Sequence, residues 1–218
     1  MADRDGIVLY GERHWESPYV FSAFVALEEK GLPFEMRVLS LEDGENWKTE
    51  YRDPSLTGRV PSLQHGDFRL SESSAIDEYL EEAFPPPEWP ALYPASPRER
   101  ARARQLQAWF RSDLLPLRAQ RPTNSIFCGE PVKPLDAEGK KAAERLLRVA
   151  DLLLPDGATS LLGSFGIVDA DFAMMLQRLV VNRDPVPEKV RAYASAVWRR
   201  PSVRKFAEHP RPPLPAKR

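Results

Sequence analysis

Two short segments carry residue types able to recognise a charged, peptide-like molecule. Thr57-Gly58-Arg59-Val60-Pro61-Ser62-Leu63 is followed, eight residues after Leu63, by Ser71-Glu72-Ser73-Ser74-Ala75-Ile76. Pro61 suits the first position of a strand. A sharp turn ahead of it leaves the N–H and C=O of Val60 facing outward, where an extended peptide docks as one more short strand. A cis bond there would be a specialised feature, and bare statistics favour trans. Glu72-Ser73 opens a helix, whose unpaired N–H groups and partial positive charge suit a ligand carboxylate. The Ser73 hydroxyl adds a donor, and the Glu72 carboxylate accepts from an ammonium. One α-amino-acid end would satisfy both. Ordinary capping by Ser73 or Ser74 accounts for the same serines without a ligand.

Ser17 is the third candidate. Ser17-Pro18 sets a preferred cap before a proline at the first helical position. A hydroxyl there can donate to an anion while the helix amides add positive potential. If the anion is a thiolate, the thiol pKa falls, and each unit corresponds to about 1.4 kcal/mol favouring the ionised form. His14 stands three residues before Ser17 and reads as a loop histidine near the site. His14, His65 and His209 lack metal-ligand spacing, so no metal is expected. Cys128, the only cysteine, reads as a small buried residue rather than a reactive one, and a dithiol mechanism is excluded by composition.

The elements that must position these residues follow from periodicity. Gly6-Ile7-Val8-Leu9-Tyr10-Gly11 reads as a buried strand. A helix runs from Ser17-Pro18 to Lys30-Gly31, and Phe34 to Leu41 reads as a second strand, parallel to the first. Glu45 to Asp53 reads as a short irregular helix. Pro61-Ser62-Leu63-Gln64 and Phe68-Arg69-Leu70 flank a turn at His65-Gly66-Asp67, and Ser74 to Phe84 is helical. The order is β-α-β-α-β-β-α. Six prolines within residues 85–97 mark a stiff linker. Beyond it the spacing is helical. Ser96-Pro97-Arg98-Glu99 reads as a capping box. Leu106, Trp109, Phe110, Leu114 and Leu117 form the apolar stripe of the helix it opens. Further helices are expected near 136–154, 169–182, 187–199 and 202–208. The tail with Pro210, Pro212, Pro213 and Pro215 is expected to be disordered or draped on the surface. Arg98, Arg100, Arg102 and Arg104 read as a solvated face, and Arg111 and Asp113 as bordering a pocket or partner.

The whole chain of 218 residues has a net charge of −1, which argues against general nucleic-acid binding. Residues 1–82 carry 8 Lys+Arg and 18 Asp+Glu, whereas residues 83–218 carry 23 and 14. The two parts thus have net charges of −10 and +9, which can attract within a chain or across a dimer. No apolar run approaches a membrane span. Met1-Ala2-Asp3-Arg4-Asp5 lacks the features of a signal peptide, and a single cysteine suits a cytoplasmic location.

With these residues in place the chain resembles the glutathione transferases over nearly its whole length. The family's Val-Pro before the third strand matches Val60-Pro61, and its acidic-Ser pair matches Glu72-Ser73. Its nucleophile-activating position falls at Ser17-Pro18-Tyr19. His14 through Ala23, Leu70 through Ile76, and Arg102-Ala103-Arg104-Gln105 resemble an atypical bacterial group of these transferases. The resemblance implies a thioredoxin-like, glutathione-binding domain over 1–84, the linker over 85–97, and an all-helical domain over 98–218 lining the second-substrate pocket. It implies that Pro61 is cis, that Val60 pairs with the cysteinyl backbone of glutathione, and that Glu72 and Ser73 hold its γ-glutamyl end. Ser17 would stabilise the thiolate, which attacks an electrophilic carbon or a peroxide oxygen. Peroxidase or disulfide reductase activity belongs to the same expectation, as does a homodimer. The alternative is a non-catalytic binding module of this fold within a protein complex. Tyr10 lies too early, on the first strand, to be the tyrosine some classes use, and Tyr19 lies inside the helix. The family's second capping motif, Ser or Thr three residues before an aspartate, meets Val168 ahead of Asp171. Asp169 is therefore expected to cap, shifting that helix start.

Overall fold

A computed structural model describes residues 6–212. Met1–Asp5, read above for a leader, and the tail from residue 213 lie outside the described residues. The chain forms two compact units, one of residues 1–92 with 205–218 and one of residues 93–204.

In the first unit, β1 (Ile7–Glu12) is buried at every position. α1 (Pro18–Lys30) starts at the Ser17 cap and stops at Gly31, whose φ of 65° suits a residue without a Cβ. β2 (Glu35–Leu39) pairs parallel with β1. A 3-10 turn at Glu45–Trp47 leads into α2 (Thr49–Ser55). β3 (Ser62–His65) and β4 (Phe68–Ser71) form the expected hairpin around Gly66, and α3 (Ser73–Ala83) follows. The strand order is β2-β1-β3-β4. The β-α-β-α-β-β-α order read from the sequence is therefore observed.

Phe21, Leu27, Ile76 and Leu80 have no exposed surface, and burying each such side chain contributes about 1.5–3 kcal/mol. Polar groups between α1 and α3 are paired. Ser22 donates to Asp77 at 3.1 Å. The buried Lys30 ammonium donates to Glu81 and to the Phe84 carbonyl, each at 2.7 Å.

The second unit holds α4 (Pro97–Ser112), α5 (Leu115–Gln120), α6 (Thr123–Phe127), α7 (Ala137–Leu153), α8 (Ile167–Val180) and α9 (Glu188–Trp198). α10 (Pro201–Ala207) passes from this unit into the first. α8 is buried on all sides over most of its length, and Phe172 stacks on Phe110 at 5.2 Å.

Three local expectations are corrected. Ser96 precedes α4 but makes no side-chain capping hydrogen bond. α4 stops at Ser112, and Leu114 adopts a left-handed φ of 59°, so Leu117 belongs to α5 rather than to one continuous stripe. Asp169 does not cap α8. The cap is Gly166, and Asp169 sits three residues inside, accepting from the Gly166 amide at 2.9 Å, the Leu161 amide at 2.7 Å and the Tyr193 hydroxyl at 2.6 Å.

Candidate functional site

Strand register gathers the candidate residues on one edge of the sheet. Tyr10 of β1 stands opposite Ser62 of β3, and Ser62 stands opposite Ser71 of β4. Both pairings are antiparallel. The end of β1, the beginning of β3 and the end of β4 therefore share an edge. The loop carrying Ser17 leaves the first of these ends, Val60-Pro61 enters the second, and Glu72-Ser73 leaves the third.

Ser17 caps α1. Its Oγ accepts the Val20 N–H at 3.3 Å, which leaves the hydroxyl proton available to an anion. The Ser17 N–H donates to Glu12 Oε1 at 2.8 Å, and the Glu16 N–H to the same oxygen at 2.7 Å. Trp15, two residues before Ser17, has a φ of 53°. For a bulky side chain that left-handed conformation costs about 1–2 kcal/mol and persists where its surroundings dictate it.

The Val60-Pro61 bond is cis, as the resemblance implied. The strand ladder begins at Ser62, and the Val60 backbone pairs with no strand among the described residues. The loop ahead of it is held on several sides. Asn46 donates to the Gly58 carbonyl at 2.8 Å, the Tyr51 hydroxyl to the Arg59 carbonyl at 2.7 Å, and Thr57 to Ser71 Oγ at 3.0 Å. Gly58 has a φ of 62°, and a Cβ there would meet the Trp47 ring at 2.7 Å. Burial pushes the Tyr51 hydroxyl up to about 12, so it stays a donor to this loop at neutral pH.

Glu72 has a φ of 72° and precedes α3 without a side-chain capping bond. Its side chain is exposed, whereas Ser73 is buried. The carboxylate is thus presented beside the first amides of α3, which lack helical partners. An ammonium and a carboxylate on one carbon match that pair of charges.

Other candidates have structural partners. Tyr10 lies in the sheet, donating to Gln64 at 3.1 Å and accepting from Arg69 at 3.0 Å and Arg37 at 3.3 Å. His14 pairs with Glu42 at 3.1 Å, His65 with the Tyr79 hydroxyl at 2.7 Å, and His209 stacks on Trp15. No cluster able to hold a metal occurs among the described residues. Within the second unit Arg111 pairs with Asp171 at 3.1 Å, and Asp113 accepts from Trp109 at 2.9 Å and Arg145 at 3.2 Å. Sequence reasoning missed Glu12, Asn46, Tyr51 and Arg211, which fix the two site loops. An acid at the buried end of an apolar strand was the signal for Glu12. Nothing in the local sequence marked Arg211.

Residues 16–83 match the family model for the glutathione S-transferase N-terminal domain, and residues 97–209 match that for the C-terminal domain. Glutathione S-transferase 3 of Zea mays is 31% identical over 217 residues, covering 92% of this chain and 94% of that protein. Human glutathione S-transferase theta-1 is 32% identical over 117 residues. The chain spans about half the length of that relative and of mouse theta-3, 48% of each. A glutathione transferase homolog from Burkholderia, crystallised with bound glutathione, is 43% identical with a TM-score of 0.76, covering 93% of this chain and 96% of that one. A theta-class glutathione S-transferase from Xanthomonas axonopodis pv. citri, with glutathione bound, is 25% identical with a TM-score of 0.73, covering 92% and 96%.

Proposed function

The chain belongs to the glutathione S-transferase family, and we propose that it is a glutathione-dependent transferase in which Ser17 stabilises the thiolate. The observation that carries this reading is the shared edge. Ser17, Val60, Glu72 and Ser73 lie next to three adjacent strand ends of one sheet. Glutathione supplies the thiol: its sulfur forms the S–C bond to an electrophile as the leaving group departs with its electron pair and the thiol proton is lost to solvent, or two glutathiones, joined as their disulfide, reduce a peroxide to an alcohol and water or a disulfide to two thiols.

The chain's residues bind and orient it. The Val60 N–H and C=O pair with the cysteinyl backbone, and Pro61 aims that edge outward. Glu72 accepts from the γ-glutamyl ammonium, and Ser73 with the first amides of α3 holds the adjoining carboxylate. The Ser17 hydroxyl donates to the sulfur. Such a donor, fixed before the reaction, stabilises charge without reorganising. In this reading residues 1–84 form the glutathione-binding domain and 85–97 the linker, and the helices from residue 98 line the second-substrate pocket, except for His209 and Arg211, which pack on Trp15 in the first unit. The match to an atypical bacterial group of transferases belongs to the same proposal.

The protein acts as a homodimer in the cytoplasm. A groove of about 390 Å³ between α4 and α7 combines Leu106, Trp109, Val149 and Leu152 with Arg102 and Arg145, an apolar and basic lining that complements the acidic N-terminal part of a second copy. No helix among the described residues is long and apolar enough to cross a membrane. A binding module without catalysis is not favoured, because it has no need of a free Ser17 hydroxyl at the same edge.

Retention on immobilised glutathione with elution by free glutathione tests the reading, followed by turnover on aryl halides, peroxides and mixed disulfides. Failure to bind at millimolar glutathione would remove it. Sedimentation velocity tests the dimer.

A further inference from the structure

We infer that Glu12 and Arg211 are positioning residues that clamp the Ser17 loop from two sides, making the segment from His209 to Arg211 a working part of the active site. The inference rests on the role of Ser17 proposed above.

From the strand side, Glu12 Oε1 accepts both the Glu16 and Ser17 amides, at 2.7 and 2.8 Å. Glu12 is only 6% exposed, and its Oε2 is buried with no hydrogen-bond partner. The carboxylate is therefore committed to these two amides, through bonds its charge strengthens. From the tail side, Arg211 donates to the Trp15 carbonyl through Nε at 3.1 Å and Nη2 at 2.9 Å. The same guanidinium donates to the carbonyls of Phe206 at 2.9 Å, Ala207 at 2.8 Å and His209 at 2.8 Å. It closes the end of α10 and grips the loop in one group. The His209 ring stacks on the Trp15 indole at 3.6 Å and 18°, with Phe24 and Phe206 against the same ring.

Consecutive backbone groups are therefore held: the carbonyl of Trp15 by the tail and the amides of Glu16 and Ser17 by the strand. The polar bonds of the clamp to the loop go to backbone atoms. A clamp on backbone fixes where the Ser17 hydroxyl points, and Trp15 keeps its left-handed φ because both sides hold it. Neither clamp residue is among the groups proposed to contact glutathione. Loosening the clamp should therefore impair turnover and spare affinity.

The test uses the full chain and its R211A, R211K, E12Q and S17A variants. Expected for R211A is a fall in kcat of roughly tenfold or more, a KM for glutathione within about twofold of wild type, and faster amide hydrogen exchange at Glu16 and Ser17. R211K keeps the charge but not the fork and should behave like R211A. E12Q keeps one acceptor oxygen, so it should fold, with the same changes at smaller size. Thermal melting confirms that each variant is folded. Unchanged exchange at Glu16 and Ser17 in both R211A and E12Q would overturn the clamp whatever the kinetics. Normal kcat in R211A beside a crippled S17A would overturn it while leaving Ser17 in place. Faster exchange in R211A with full activity in S17A would instead uphold the clamp and remove the role of Ser17.

Discussion

Ser62 of β3 stands directly opposite Ser71 of β4, and this one pairing brings the turn at Val60-Pro61 alongside the helix start at Glu72-Ser73. A backbone edge and a charge pair, 12 residues apart in sequence, become neighbours. Glu72 is exposed at that junction. In the proposed binding mode, replacing it by alanine removes its bond to the γ-glutamyl ammonium, a charge-assisted bond worth about 1.5–3 kcal/mol. The KM for glutathione should rise about tenfold or more, with kcat nearly unchanged. Steady-state kinetics with varied glutathione checks this; a fall in kcat at constant KM would reassign Glu72.

Ser17→Ala should show the opposite pattern. In the proposed mechanism the hydroxyl donates to the sulfur, so kcat should fall on the order of 10²-fold, as for loss of one preorganised donor. The bound thiol should ionise at higher pH, followed by ultraviolet absorbance of the thiolate. An unaltered thiol titration would rule out a serine-stabilised thiolate.

The Lys30–Glu81 pair is a stability element, since both side chains are almost wholly buried at 0% and 3% exposure. Glu81 also accepts from the Leu92 amide at 2.8 Å. Glu81→Ala strands a buried ammonium, which costs about 3–5 kcal/mol. Denaturant unfolding should show that loss. A change below about 1 kcal/mol would mean that Lys30 finds water or another acceptor.

Burial, and then the nearby Arg211 charge, holds the His209 pKa below its usual 6.5. The folded state favours neutral imidazole. Its contribution is therefore present above pH 6.5 and is lost as pH falls through the lower folded value. Between about pH 7.5 and about pH 5, the wild type should lose more thermal stability than His209→Gln. Equal losses would exclude His209 as a source of acid sensitivity.

Much of the first unit was legible because its signals are local. Glycines bound the run at 6–11, Ser17-Pro18 and Gly31 delimit a helix, and His65-Gly66-Asp67 marks a hairpin. The residues proposed for the site stood out for the same reason, since Val60-Pro61 and Glu72-Ser73 sit where elements begin. In the second unit, α5 and α6 went unseen because Pro116 and Pro122 look like breakers, yet Pro116 occupies the first turn of α5, where no amide partner is required. The apolar spacing of Leu114 and Leu117 continues through the break at Asp113, so periodicity overran the true end of α4. The Asp169 misplacement arose because a glycine can cap with no side chain to reveal it. The clamp was illegible because Arg211 meets Trp15 across 196 residues, and no local pattern encodes such a contact.

A crystal structure of the full chain with glutathione tests the central claim most directly. The expected result is the cysteinyl backbone paired with Val60, the γ-glutamyl end on Glu72 and Ser73, and the sulfur within hydrogen-bonding distance of Ser17 Oγ. Glutathione bound away from this sheet edge, or with its sulfur turned from Ser17, would contradict it.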